Sequence, residues 1–224
     1  MTESSENIWS TREKSWAHLQ KNNPSSIAII NESLKIIDRC LDYYEAASKS
    51  SSYGLACGLF LLKGKNLGHG CFSLILDGHA QEAGALLRPL IECIELLAYM
   101  RIFPEKANDA VNNKLPSAGQ RAKEINGEYK GLREHLNDHA SHISFSPESL
   151  SHLLNPDSSF RRTQESIPEI ILSSVSDLAI QIQFLMHEGI RALERVSDAP
   201  ARDLGTRAEN LRKRSCFVFG IFGN

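Results

Sequence analysis

The chain has 224 residues, 42% hydrophobic and 23% charged, with a formal net charge of −2. That length encloses one substantial core without demanding a second, and the composition excludes wholesale disorder and a membrane-embedded class. A nearly neutral chain has no global field for attracting a polyanion, so any nucleic-acid contact has to come from a local patch.

The opening residues lack both the apolar core of a signal peptide and the Arg-rich, acid-poor character of a transit peptide. Residues 1–24 are therefore expected to be an N-terminal extension of a cytoplasmic protein. Pro24, Ser25 and Ser26 can start a first helix, in which Ile27, Ile30, Leu34, Ile37 and Leu41 recur at three- and four-residue steps through about residue 47. A second helix is predicted over 53–77, stopping at Gly78, a residue that tolerates a left-handed helix end. Lys63, Lys65, His69 and internal glycines break its apolar run, so it reads as a buried helix and not as a membrane span.

Over 79–102 the apolar positions Ala83, Leu86, Leu87, Leu90, Ile91, Ile94, Leu97 and Ala98 cover most of a helix circumference, which marks a central element. What remains is a thin polar stripe of Gln81, Arg88, Glu92, Glu95 and Tyr99. Pro89 lies inside this helix and removes a backbone donor. Pro104 starts a short helical piece, and Pro116-Ser117 starts another that is predicted to run through Tyr129 and Leu136 towards His142.

Residues 145–154 read as a short cap or loop helix. The last long helix, over 168–197, shows Ile171, Val175, Leu178, Ile182, Leu185, Ile190 and Leu193 at helical steps. Residues 198–224 form a tail that is first basic and then apolar, expected to pack across the bundle or onto a second subunit. Cys40, Cys57, Cys71, Cys93 and Cys216 are odd in number and contain no Cys-x-x-Cys pair, which fits reduced core thiols. The predicted architecture is all-α: an up-and-down bundle of four long helices with extra short helices, its domain spanning 25–197.

Two constellations carry candidate chemistry. His135, His139 and His142 form H-x3-H-x2-H, which on one continuous helix places the three rings within about 60° of each other. Neutral imidazoles so placed can ligate a metal, with Asp138 adding a carboxylate. No H-E-x-x-H accompanies them, and a solvated helix end explains them without a metal, so none is assigned. Arg133 and His139 form R-x5-H, in which the guanidinium fork holds a phosphate and the imidazole moves a proton at a ribose hydroxyl or a leaving oxygen. On a straight helix these two side chains point about 120° apart, so their convergence needs a bend, a helix end or a partner subunit.

The segment H-A-Q-E-A-G-A-L-L-R-P-L-I-E-C-I-E-L-L-A-Y, followed some thirty residues on by Y-K-G-L-R-E-H-L-N-D-H-A-S-H-I-S, resembles a group of bacterial helical proteins with Arg-x3-Glu on one helix and Tyr followed by His on another. These are similar to the HEPN superfamily of helical bundles. The resemblance covers residues 25–197. It implies a homodimer and a metal-independent ribonuclease or RNA-binding protein of a bacterial defence or toxin-antitoxin module, with an antitoxin-like protein as a further partner and no cofactor. Arg133 and His139 would be the catalytic pair, His142 the histidine matching that group, and Arg88, Glu92 and Tyr129 the supporting polar groups. The sequence departs from the pattern at Glu134, where the superfamily has a small polar residue, and His142 gives R-x8-H.

A rival of another class is a non-catalytic dimeric interaction or sensor domain. A polar stripe on a central helix must find partners or face a cavity, and in that reading Arg88, Glu92, Tyr129 and His142 meet as a structural network.

Overall fold

A computed structural model describes residues 8–127, 129, 150, 153–155, 157–161 and 165–218. Among these residues no strand forms, and the β-type pairing is confined to an isolated bridge between Leu154 and Phe160. The helices are α1 (Ile8–Asn22), α2 (Pro24–Ser48), α3 (Ser52–Leu76), α4 (Ala80–Ile102), α5 (Ala107–Val111), α6 (Ala118–Glu124), α7 (Pro168–Leu193) and α8 (Asp198–Val218), with a 3-10 turn over Pro104–Lys106.

The four long helices expected from periodicity, α2, α3, α4 and α7, pack against one another and form the centre. Each starts or stops where local chemistry dictates. The Asn23 side chain accepts from Ser26 N ahead of Pro24, and the Ser51 hydroxyl accepts from Gly54 N at the head of α3. Gly78 takes φ 82° between α3 and α4, a left-handed conformation that suits glycine. The helix α4 runs unbroken through Pro89. Ile37, Leu61, Leu90, Ile94, Leu97, Leu178, Ile182 and Leu185 are buried together where these helices meet.

Hydrogen bonds across the core fix the depth of α7. Tyr44 Oη donates to the Gly189 carbonyl at 2.8 Å, and Tyr53 Oη donates to the Ala192 carbonyl at 3.0 Å. Burial pushes both phenols above their ordinary range, so each stays a neutral donor. By length and composition α7 alone among the described helices is apolar enough to cross a membrane, and residues from Ile171 to Leu193 along it form the bundle core.

Both ends of the chain contribute helices that periodicity alone does not reveal. The inward face of α1 is Thr11, Ser15 and Leu19 at four-residue steps, two of them polar, so no apolar stripe shows in the sequence. It is held instead by specific contacts. Arg12 grips Asp77 at the end of α3 in a two-pronged pair of 2.7 and 2.6 Å and also donates to Ser73 Oγ, while Trp16 meets Phe72 edge-on. The helix α8 buries Ala201, Leu204, Ala208, Leu211 and Ser215 at steps of three and four, a narrow stripe with two leucines set among charges, against α2 and α7.

The segment after Ser117 departs from expectation. A capping box of Ser117 and Gln120 starts α6, but the helix ends at Glu124 and does not continue towards His142. Asn126 and Gly127 take φ 66° and 61°, and Gly127 N reaches back to the Ala122 carbonyl at 2.6 Å, a left-handed stop that an Asn-Gly pair favours. The expected run from Ser117 through Tyr129 is therefore not one helix, and the stretch that holds Arg133, His135, His139 and His142 lies outside the described residues.

Candidate functional site

The polar stripe of α4 lies under α6. Arg88, near the start of the stripe, is exposed, and among the described residues it forms no ion pair with Glu92. The Glu92 carboxylate instead accepts from Arg121 Nη2 of α6 at 2.8 Å. Arg121 is buried, its Nη1 donates to the Pro116 carbonyl at 2.5 Å, and its buried Nε has no hydrogen-bond partner among the described residues. Glu95, one turn further along α4, is buried.

Tyr99 ends the stripe. Its ring is buried and tilted against Phe103 at 4.9 Å between centroids. Burial raises its phenol pKa, and the hydrogen bond and charge of Glu124 raise it further, so the hydroxyl stays a donor to that carboxylate. Arg121 and Glu124 stand three residues apart on one face of α6 and engage α4 seven residues apart, which is how a two-turn helix covers the stripe.

Tyr129 is buried and packs edge-on against Phe184 of α7, with centroids 5.9 Å apart and planes at 73°. Arg133, His135, Asp138, His139 and His142 lie outside the described residues, so the structure neither joins nor separates them from Glu92. Of the sequence-derived set, Glu92 is drawn into an internal ion pair, Tyr129 is anchored on α7, and Arg88 faces solvent. Arg121 was not foreseen. The available signal was indirect: a polar stripe on a core helix demands a cover, and the nearest capped segment carries Arg and Glu on one face.

A second charged cluster lies where α4 and α7 end. Glu188, its side chain only 3% exposed, accepts from Arg101 Nε at 3.1 Å and from Arg191 Nη1 at 2.9 Å, while Arg195 Nε donates to the Arg101 carbonyl. A buried carboxylate held by two guanidinium groups is fully occupied, which makes this cluster a structural joint. Cavities lie elsewhere. A cavity of about 370 Å³ runs between α2 and α3, and another of about 210 Å³ lies beside Gly78, Gln81, Glu82 and Arg161.

Chemically, the stripe offers a neutralised ion pair and a phenol donor beneath α6. No family model matches this chain, and no curated protein or solved structure matches it either.

Proposed function

We propose that the chain is a HEPN-like helical bundle that acts on RNA without a metal, with Arg133 and His139 as the catalytic pair, His142 beside them, and Arg88, Glu92 and Tyr129 as supporting groups. The observation that supports this reading is the buried Tyr129, anchored on Phe184 of α7 just ahead of the R-x5-H stretch. Arg133 follows four residues later, a span of at most about 14 Å. In this chemistry the guanidinium neutralises the phosphate charge that grows in the transition state. The imidazole takes the proton of the ribose 2′-hydroxyl as that oxygen attacks phosphorus, a 2′,3′-cyclic phosphate forms, and the 5′-oxygen leaves with a proton taken from water. The protein so described is a cytoplasmic homodimer with an antitoxin-like partner.

The test is incubation of purified protein with total RNA in EDTA, alongside Arg133→Ala and His139→Ala. The expected result is cleavage by the parent protein, leaving 5′-hydroxyl ends, and none by either variant. Equal cleavage by all three, or by none, removes the enzymatic reading.

A second reading has its own support. Arg121 and Glu124 spend the stripe on internal bonds, and leucines stand exposed along α3. In this reading the polar network orders the bundle and a surface does the work, as in a dimeric interaction or sensor domain. A protein that stays monomeric at high concentration and captures no partner argues against it.

A further inference from the structure

The outer face of α3 was expected to be buried, and it is not. Leu55, Leu59 and Leu62 are 38%, 53% and 41% exposed, and Asn66 and His69, also exposed, continue the same line. The steps are four, three, four and three, the spacing of a two-stranded helical seam. Beside the leucines lies the α2–α3 cavity, floored by Tyr44, Gly54 and Gly58 and rimmed by Glu45. Contiguous exposed apolar surface rimmed by polar groups marks an interaction site.

We infer that α3 is the seam of a homodimer, in which two copies lay this helix side by side, parallel and in register, about a twofold axis running along it. This surface belongs to the second reading above and rests on it.

Three features select a second copy and this orientation. The first is self-complementarity, since a twofold contact must match a surface to itself, and a row of leucines at seam spacing does so. The second is Asn66, which occupies the core-type position one heptad after Leu59. A polar residue there is satisfied by its own counterpart when two identical helices run parallel in register, and is left unpaired when the register slips. The third is charge. Lys63 is exposed on the flank of the seam away from α2, whereas the other flank carries the exposed Glu45, the Asp38 charge there being matched by Lys65. A twofold axis parallel to the helices brings the lysine flank of one copy to the acidic flank of the other, twice over. The antiparallel alternative sets the acidic flanks against each other. From Leu55 to His69 the seam is about 21 Å long, and the α2 residues that line the cavity beside it widen the face.

The experiment uses the full chain with Cys216→Ser, so that the remaining native thiols are the buried ones. Light scattering on a sizing column gives the mass of the parent protein and of a Leu59→Asp, Leu62→Asp variant, with circular dichroism confirming its helix content. Separately, Asn66→Cys is oxidised under mild conditions. The expected results are a dimer for the parent protein, at least tenfold weaker association for the double variant, and rapid covalent dimer through Cys at position 66, because the register brings equal residues within disulfide reach. A dimer that the double variant leaves intact overturns this surface while sparing the interaction-domain reading. A parent protein that is monomeric throughout overturns this seam, even if another protein binds the leucines, and one that is monomeric and captures no partner overturns the interaction-domain reading as well. Cross-linking by Leu59→Cys but not by Asn66→Cys overturns the parallel register.

Discussion

Arg121 of α6 donates to Glu92 of α4 at 2.8 Å, and this pair closes a short helix over the polar side of a core helix. Arg121 is almost wholly buried while the Glu92 side chain is 40% exposed. Losing the arginine therefore removes a covering group and leaves a carboxylate that water can partly reach. Arg121→Ala is expected to cost about 1–3 kcal/mol. Arg121→Lys recovers little of it, because an ammonium cannot reach Glu92 and the Pro116 carbonyl with one planar fork. Arg88→Ala, at an exposed position on the same helix, stays within about 0.5 kcal/mol of the parent. Urea unfolding of the three variants measures this, and an unchanged midpoint for Arg121→Ala would show that α6 does not depend on the pair.

Two glycines should respond oppositely to the same substitution. A Cβ on Gly54 would lie 2.8 Å from the Ala47 Cβ and 3.0 Å from the Ala47 carbonyl carbon, so the end of α2 would have to move. Gly54→Ala is expected to destabilise by about 1–3 kcal/mol, the usual range for overpacking. Gly119 sits in the first turn of α6 with nothing within 4 Å of its would-be Cβ. Gly119→Ala gains helix propensity and restricts the unfolded chain, stabilising by about 0.4–1 kcal/mol. Thermal melts of the pair decide whether close helix approach or chain entropy governs each site.

The cysteines make a chemical test of the packing. Cys40, Cys57, Cys71 and Cys93 are buried, and burial pushes each thiol up to about 12, far from the thiolate form that reacts. Cys216 on α8 is only partly buried. A thiol reagent at pH 8 should label one cysteine promptly in the native protein and five after denaturation. Prompt labelling of more than one would mean that the α2–α3–α4 core opens on the timescale of the assay.

What the sequence discloses depends on which force holds each element. The helices α2, α3, α4 and α7 are held by apolar stripes, and stripes are written in the periodicity of Ile30, Ile37, Leu90, Ile94, Leu178 and Leu185. The helices α1 and α8 dock through Leu19, Leu204 and Leu211 interleaved with Ser15, Ala201, Ala208 and Ser215, whose small side chains thin the hydrophobic signature, and through Arg12 with Asp77, a long-range pairing that no local pattern reveals. The end of α6 was legible in Asn126-Gly127, but the apolar periodicity continuing to Leu136 hid it. Within the candidate site the stripe on α4 could be read directly. Its cover could not, because the ion pair joins residues 29 positions apart.

His187 on α7 gives the bundle a predictable response to acid. It is half-buried where α7 meets α8, and its Nε2 has no hydrogen-bond partner among the described residues. Arg191 and Glu188 on its own helix and Glu209 and Arg212 on α8 surround it. Burial lowers its pKa below the ordinary imidazole value of about 6.5, the two arginines lower it further, and the two glutamates offset part of this. The ring is therefore neutral in the fold and takes up a proton more readily once the chain unfolds. The stability it contributes is complete above about pH 6.5 and is lost as the pH falls through the depressed folded value, with a slope of at most about 1.4 kcal/mol per pH unit for one proton. Urea midpoints of the parent protein and His187→Gln, taken from pH 7.5 to 5, should converge as the pH falls, because only the parent carries this penalty. A difference between them that does not change with pH would mean that the imidazole is already solvated, and that α8 does not seal it against α7.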